Sequence, residues 1–159
     1  MPPDRPARIM RIGRFRLWTR RSTPVVRFGK TEPVIVSLHV ASGAAMGALV
    51  RSRGRALLIG PFLHLAEDRV PHQDIHNRRF EIVSGAAGVV LLAVRRGPFD
   101  AATLGALATS APDLEHVVPW VRPGGRKLFH GGRGWHRSGR FSAAAQLLLA
   151  GAILGALSS

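Results

Sequence analysis

Residues 34–50, VIVSLHVASGAAMGALV, form an uncharged run of 17 residues that is rich in alanine, valine and glycine and stops at the basic stretch RSRGR. An apolar run of this length without period-2 alternation favours a helix over a strand. Four further apolar runs follow it along the chain, at residues 56–66, 82–94, 101–111 and 141–157. Asp100 stands directly before the fourth run and is a suitable helix N-cap. The sequence therefore predicts an all-α fold of about five helices in a bundle rich in alanine and glycine.

The lengths and small residues of these runs bear on whether the bundle lies in a membrane. A spanning helix needs ~20 apolar residues, with about 17 as the lower limit, and the first and last runs meet only that limit. Glycines spaced by four, at Gly43/Gly47 and Gly151/Gly155, suit close helix packing in lipid. We predict a bundle that is embedded in a membrane or associated with one. The alternative is a soluble domain whose buried helices are alanine-rich.

The charge of the chain is large and unevenly distributed. The 159 residues include 23 Lys and Arg against 9 Asp and Glu, for a formal charge of +14, and 46% are hydrophobic. This apolar content excludes a wholly disordered chain, and the absence of cysteine excludes disulfides and cysteine–zinc sites. Residues 1–33 hold nine basic residues and two acids and predict a basic, flexible N-terminal arm. An interfacial helix or a nucleic-acid-binding arm are the alternatives there, and residues 34–159 are predicted to form the helical domain.

The acidic residues that follow the arm cluster with histidines. His64 and Asp68 are four residues apart, so on a helix both project from one face and can bind one metal ion. Pro71 disfavours a continuing helix, so the chain turns and His72 can return toward the same point. Imidazole nitrogen and carboxylate oxygen are ligands that zinc accepts, and Glu67 or Asp74 could orient a ligating histidine. The cluster predicts a divalent metal site, with zinc favoured; a polar loop with ordinary histidines is the alternative.

Two further clusters carry histidine. Asp113 and His116 are three residues apart and share a face if Pro112 begins a helical turn. The alternative there is that Asp113 and Glu115 serve as helix-start carboxylates that favour the helix dipole.

The third cluster, FHGGRGWHR, places His130 and His136 six residues apart across a glycine-rich loop. Arg133 and Arg137 beside them suit a phosphate oxyanion; the alternative is a basic surface loop. His39 stands alone in the first apolar run and is either a core residue or a further metal ligand.

Together these stretches give the chain a resemblance to a known family. HVASGAAMGAL, GPFLHLAEDRVPHQD, TSAPDLEHVVPW and FHGGRGWHR resemble motifs of the bacterial inner-membrane-associated metal-dependent hydrolases, which are distantly similar to the zinc-dependent phospholipase C and nuclease group. The motif order differs from that family, Glu115 replaces an aspartate, and the third motif lacks its threonine. The resemblance implies an all-helical protein of the bacterial inner (cytoplasmic) membrane with a phosphoester hydrolase site.

These observations lead to one predicted function and two rivals. The prediction is a membrane-associated hydrolase in which a zinc-like ion activates water for attack on a phosphoester substrate. Asp74 or Glu115 would serve as general base and Arg133 or Arg137 would hold the substrate anion. The predicted metal ligands are His39, His64, Asp68, His72, Asp113, His116, His130 and His136. The rivals are a non-enzymatic membrane protein whose basic arm binds anionic lipid or, less favoured, nucleic acid, and a metal-stabilised structural protein without turnover.

Overall fold

A computed structural model describes residues 36–73, 75, 77–130 and 139–159. The predicted basic arm, residues 1–33, lies outside these residues. The helices are α1 (Val36–Val50), α2 (Arg53–Glu67), α3 (Arg78–Arg96), α4 (Ala101–Ser110), the one-turn α5 (Leu114–Val117) and α6 (Ala143–Ser158). Short 3-10 turns occupy Ala111–Asp113, Pro119–Val121 and Pro123–Gly125. No strand is present in the described part of the chain, so the all-α prediction is confirmed, with five helices of ten residues or more.

Helix α4 lies at the centre of the bundle because glycines let α1 and α2 approach it closely. A Cβ atom on Gly43 would overlap the carbonyl oxygen of Gly105, and one on Gly47 would overlap that of Ala101. These pairings show that α1 runs antiparallel to α4. On the other side, a Cβ on Gly60 of α2 would lie 2.5 Å from the Cβ of Ala108. Backbone-to-backbone packing of this kind requires small residues, which the alanine- and glycine-rich sequence supplies.

Side-chain caps fix where the main helices begin. The Asp100 carboxylate accepts a hydrogen bond from the backbone N–H of Ala102 at 2.9 Å, so its predicted N-cap role is confirmed. Ser52, Asn77 and Ser142 cap α2, α3 and α6 in the same manner. Each cap satisfies one of the N–H groups that a helix start leaves without an intrahelical partner.

The interior of the bundle is small and polar, whereas large apolar side chains lie outside. Val40 and Leu92 are the larger aliphatic residues among the buried ones that the structure describes; the other buried aliphatic residues are alanines. Histidine, aspartate, glutamate, threonine and glutamine side chains are buried with them. By contrast, Phe62 is 68% exposed and Leu148 is 76% exposed. A small apolar core around Val40 and Leu92 thus lies beside many buried polar groups, and buried polar groups with large exposed apolar side chains are the features that call for an explanation.

The last helix is attached to the loop that follows α2. The side-chain amide of Gln146 donates hydrogen bonds to the carbonyl oxygens of Gln73 and Phe141, both at 2.9 Å. The backbone N–H of Gln73 also donates to the Phe141 carbonyl at 2.8 Å. These bonds hold the loop after α2 against the start of α6.

The sequence predicted helices that cross or enter a membrane. Within the described residues, no helix combines the length and the apolar character that crossing a bilayer requires.

Candidate metal centre

A cluster of histidine and aspartate side chains forms where the ends of α1, α2 and α4 meet. His39 lies in the first turns of α1, and His64 and Asp68 lie at the carboxyl end of α2. Asp113 lies in the 3-10 turn that follows α4, and His116 lies in α5. Because α2 and α4 end on the side of the bundle where α1 begins, the topology brings these residues together. The loop after α5 adds His130.

Four side chains form the inner part of this cluster. The Nε2 atom of His130 lies 3.1 Å from His64 Nε2, 3.2 Å from Asp68 Oδ2 and 3.8 Å from Asp113 Oδ1. The Nε2 atom of His64 lies 3.4 Å from Asp68 Oδ2 and 3.6 Å from Asp113 Oδ1. Each of the two imidazole nitrogens therefore lies within 3.8 Å of an oxygen of both carboxylates. We call these four residues, His64, Asp68, Asp113 and His130, the inner quartet.

Five of the six distances within the inner quartet fit a tetrahedral metal ion, whereas each group of candidate ligands whose atoms all lie within 4.8 Å of one another contains Asp68 or Asp113 but not both. Zinc bonds to nitrogen and oxygen of about 2.0–2.2 Å place the ligand atoms of a tetrahedron about 3.3–3.6 Å apart. The five measured distances, 3.1 to 3.8 Å, lie around that value. A hydrogen bond can link only some of these pairs, since two facing imidazoles need one proton between them. A shared cation explains the whole set.

His39 lies against the inner quartet and is oriented by a carboxylate. Its Nε2 atom is 3.5 Å from Asp68 Oδ1, and its Nδ1 atom is 2.5 Å from Glu67 Oε2. A carboxylate on one ring nitrogen fixes the tautomer and makes the other nitrogen a better ligand. His39, His64 and Asp113 also form a group whose ligand atoms lie within 4.8 Å of one another. The structure therefore buries His39 in the bundle and also places it in a group of candidate metal ligands.

His116 lies on the other side of the inner quartet. With Asp113 and His130 it forms a further group within 4.8 Å. The ammonium group of Lys127 is 3.2 Å from His116 Nδ1. Burial lowers the pKa of His116 to about 3, and the nearby charges of His130 and Lys127 act in the same direction. A neutral imidazole is the form that binds a metal ion.

Burial makes the charges of the cluster costly without a cation. Neither oxygen of the Asp113 carboxylate, which is only 5% exposed, accepts a hydrogen bond from the described residues. Burial raises the pKa of Asp113 even though the surrounding histidines oppose the shift. A buried carboxylate without hydrogen bonds is unfavourable unless it is paired or coordinates a metal. Asp113 is therefore the clearest indication that the centre holds a cation.

Asp68 lies closer to the imidazoles than Asp113 does. Burial opposes its ionisation, but His130, His39 and His64, at 3.2 to 3.5 Å from its oxygens, hold the pKa of Asp68 well below its ordinary value. Burial also disfavours a charged His39, yet hydrogen bonds to Asp68 and Glu67 outweigh it and raise the pKa of His39 to about 10. Without metal, the cluster thus holds a protonated His39 beside an ionised Asp68. A metal ion would replace that proton.

The loop that carries His130 is held by Glu115. Its Oε1 atom accepts a hydrogen bond from the backbone N–H of Phe129 at 2.8 Å, directly before His130. Arg122 Nε donates to the Glu115 carbonyl oxygen at 2.7 Å, and Arg78 donates to the His116 carbonyl oxygen. The structure thus places Glu115, predicted as a general base, in a supporting position.

The remaining predicted site residues divide into two sets. His72 is buried, and its Nδ1 atom lies 2.6 Å from the carbonyl oxygen of Val70, but it belongs to none of the three groups of candidate ligands. Its backbone pairs with Phe141, which holds this segment against α6. The other set lies outside the described residues, so nothing tests it: Asp74, His136, Arg133 and Arg137.

Basic side chains beside His116 were not identified from the sequence. Lys127, Arg78 and Arg122 contact α5 or its histidine, whereas the sequence pointed to arginines in the glycine-rich loop. The signal that could have found Lys127 is its position three residues before His130, since a loop that brings His130 to the cluster also brings its neighbours.

Comparison with known proteins adds no further information on this centre. A scan against family models, a search of curated proteins and a search of solved structures each gave no match. The resemblance to inner-membrane-associated hydrolases therefore stays a prediction from short motifs, and it is the side-chain geometry that makes this cluster a candidate metal centre.

Proposed function

We propose that this chain is a membrane-associated, metal-dependent hydrolase of phosphoester substrates. The observation that carries the proposal is the inner quartet, in which His64, Asp68 and His130 have ligand atoms within 4.8 Å of one another. Two imidazoles and one carboxylate fit zinc, contain no sulfur ligand and leave one tetrahedral position for water, beside Asp113. When bound in such a site, zinc lowers the pKa of a water ligand toward neutrality and polarises a phosphoryl oxygen.

The residues around the inner quartet have distinct tasks under this proposal. Glu67 fixes the ring of His39 through the contact at Nδ1, and Glu115 holds the loop that ends in His130. Lys127 brings a positive charge to the same side of the cluster. A cation near a site favours an anionic substrate such as a phosphoester.

The surface of the bundle supports an association with membrane lipid. Large apolar side chains are exposed on three helices, with Leu58 70% exposed, Val90 60% exposed and Leu148 76% exposed. Extensive exposed apolar surface marks sites of contact with a membrane or another protein. Small and polar residues meanwhile fill the interior, as in helices that associate in lipid. We extend the proposal to the bacterial inner membrane, which the motif resemblance implies.

Metal content and turnover measured on the same protein test the proposal. The full chain, dialysed against metal-free buffer after loading with zinc, should retain at least one zinc per molecule and cleave bis-p-nitrophenyl phosphate. His64→Gln should lose both properties. His72→Gln is the matched control, because it replaces a buried histidine outside the groups of candidate ligands, and should keep both. No retained zinc, or equal retention by the His64→Gln variant, would contradict the proposal.

A structural metal site without turnover is the second candidate, and the burial of the inner quartet favours it. His64 is fully buried and Asp68 is 1% exposed, and four protein ligands are typical of structural zinc. Catalytic zinc instead keeps one position for water. Tight zinc binding with unfolding on chelation, and no cleavage of the phosphodiester, would identify this second function.

A further inference from the structure

A second polar feature lies at the end of the bundle away from the inner quartet. The carboxyl ends of α1 and α3 meet the amino ends of α2 and α4 around a pocket of about 260 Å³. Its polar lining consists of Arg51, Arg53, Arg96 and Asp100. Along α2, Arg53 and His64 are 11 residues apart, which is about 16 Å at 1.5 Å per residue. The pocket is therefore separate from the candidate metal centre.

The charges of the pocket do not balance. Arg96 Nε donates to Asp100 Oδ1 at 3.0 Å, and the same carboxylate caps α4. Asp100 is thus already engaged by one arginine and one helix end. No carboxylate among the described residues lies within ion-pair distance of Arg51 or Arg53, so two guanidinium groups face the pocket without a counter-charge. Guanidinium groups bind phosphate oxygens in a fork geometry.

The floor of the pocket is closely packed backbone, and the volume of the pocket suits a small group. Gly47 and Ala101 line it, and these residues form the close contact of α1 with α4. A volume of 260 Å³ lies just below the usual range of ligand pockets, roughly 300–1,000 Å³. The pocket therefore fits a compact anionic group in preference to a large organic ligand.

The surroundings of the pocket distinguish a lipid from a soluble anion. Large apolar side chains within two residues of lining residues in sequence are exposed: Leu49 is 82% exposed, Val94 is 77% exposed and Phe99, directly before Asp100, is 68% exposed. Apolar side chains beside a basic pocket match the boundary between acyl chains and headgroups. A nucleic-acid backbone or a free phosphate offers no acyl chains for these side chains to contact.

We propose that this pocket binds the phosphate of an anionic phospholipid headgroup, with Arg51 and Arg53 as its principal contacts. Leu49 and Phe99 lie among the acyl chains next to the bound headgroup. This site is separate from the metal centre, and it holds lipid at the opposite end of the bundle.

Lipid titration in a neutral detergent tests this proposal on the full chain. Phosphatidylglycerol should bind more tightly than phosphatidylcholine at low salt. Arg51→Gln/Arg53→Gln should weaken phosphatidylglycerol binding by about thirtyfold, because each basic residue near an anionic surface contributes about fivefold. The control, Arg79→Gln/Arg126→Gln, removes the same number of charges elsewhere on the surface. It should change the affinity for phosphatidylglycerol by less than about threefold. Circular dichroism checks that both variants keep their helices.

Four outcomes would overturn the proposal. Equal loss in the two arginine variants would show diffuse attraction by net charge. Equal binding of phosphatidylcholine would show that the anionic headgroup is not recognised. Displacement of the lipid by millimolar inorganic phosphate, with Leu49→Ser/Phe99→Ser having no effect on binding, would show a site for a free anion only. Tighter binding of a single-stranded oligonucleotide than of phosphatidylglycerol, lost in Arg51→Gln/Arg53→Gln, would assign the pocket to nucleic acid.

Discussion

At one end of the bundle, α1, α2 and the turn after α4 bring imidazole and carboxylate groups into a nearly water-free cluster, whereas at the other end the same helices present guanidinium groups that remain exposed. Exposed arginines keep their hydration, so leaving them without a counter-charge costs the unliganded protein little folding free energy. Buried aspartates lose their hydration and require hydrogen bonds, counter-charges or a metal ion. The buried end of the bundle therefore carries the stronger indication of a bound cation.

The largest expected effect is at the buried end, where one substitution should weaken zinc binding and yet stabilise the metal-free protein. Asp113→Asn should weaken zinc binding by more than about 100-fold, since even residues that only orient a ligand account for 10–100-fold. The same change should raise the melting temperature of the metal-free protein, because burial raises the pKa of Asp113 and the neutral amide removes that penalty. Competition with a chromogenic chelator measures the first effect, and thermal unfolding in a chelator measures the second.

Arg51→Gln/Arg53→Gln is the control for Asp113→Asn, since it changes the exposed end of the same bundle. It should leave zinc affinity and metal-free stability within experimental error. A metal-free Asp113→Asn variant that is less stable than the parent would show that the carboxylate has partners within the fold, and would contradict the assignment of Asp113 to a cation site.

The next effect concerns the helix contact that both ends share. Gly47→Val should destabilise the protein by about 1–3 kcal/mol, because the added side chain meets the Ala101 backbone and not a flexible side chain. Gly151→Val is the matched control: nothing lies within 4 Å of its Cβ position. Thermal unfolding should show a lowered midpoint for the first variant alone. A similar loss in both variants would mean that glycine is needed for a reason other than the α1–α4 contact.

A smaller change should follow from removing the charge that orients His39. Glu67→Gln keeps a hydrogen-bonding side chain beside His39 Nδ1 but removes the carboxylate, and should weaken zinc binding by about 10–100-fold. Glu115 supports the loop of His130 by accepting a hydrogen bond from a backbone N–H, which an amide oxygen can also accept. Glu115→Gln should therefore weaken zinc binding less than Glu67→Gln does. Both affinities come from the same chelator competition. Equal effects of the two variants would contradict the assigned roles.

The last effect is a pH dependence that zinc should reverse. The folded protein holds the pKa of His39 at about 10 against 6.5 for the free side chain, so between these values the folded state binds more protons than the unfolded state. Stability of the metal-free protein should therefore fall as pH rises from about 6.5 to 10. Zinc affinity should rise over the same interval, because the metal displaces the proton.

His39→Gln provides the check on this pH dependence. In the metal-free variant the decline of the melting temperature above pH 6.5 should become shallower. An unchanged decline would show that another group is responsible, and the pairing of His39 with Asp68 and Glu67 would not be the cause.

Part of this structure follows from local sequence patterns. The uncharged runs predicted the helices because an alanine-rich apolar segment has few other ways to satisfy its backbone. The spacing of His64 and Asp68 placed both on one helix face, and Asp100 before its run predicted the cap. Each of these inferences uses only neighbours within one or two helical turns.

The rest depends on contacts between segments that are distant in sequence. Pro71 indicated a turn that returns His72 to the cluster, but pairing of the His72–Gln73 backbone with Phe141 decides where this loop lies. The contact of His39 with Glu67 crosses 28 residues. The arginine pocket requires four helix ends to meet. A single sequence shows none of these distances.

Anomalous diffraction at the zinc edge, from crystals of the full chain loaded with one equivalent of zinc, tests the central claim most directly. One dominant peak is expected among His64 Nε2, His130 Nε2, Asp68 Oδ2 and Asp113 Oδ1, at about 2.0–2.2 Å from both imidazole nitrogens and from at least one of the two carboxylate oxygens. A dominant peak at a surface histidine, or no peak at the inner quartet with one equivalent of zinc present, would contradict it.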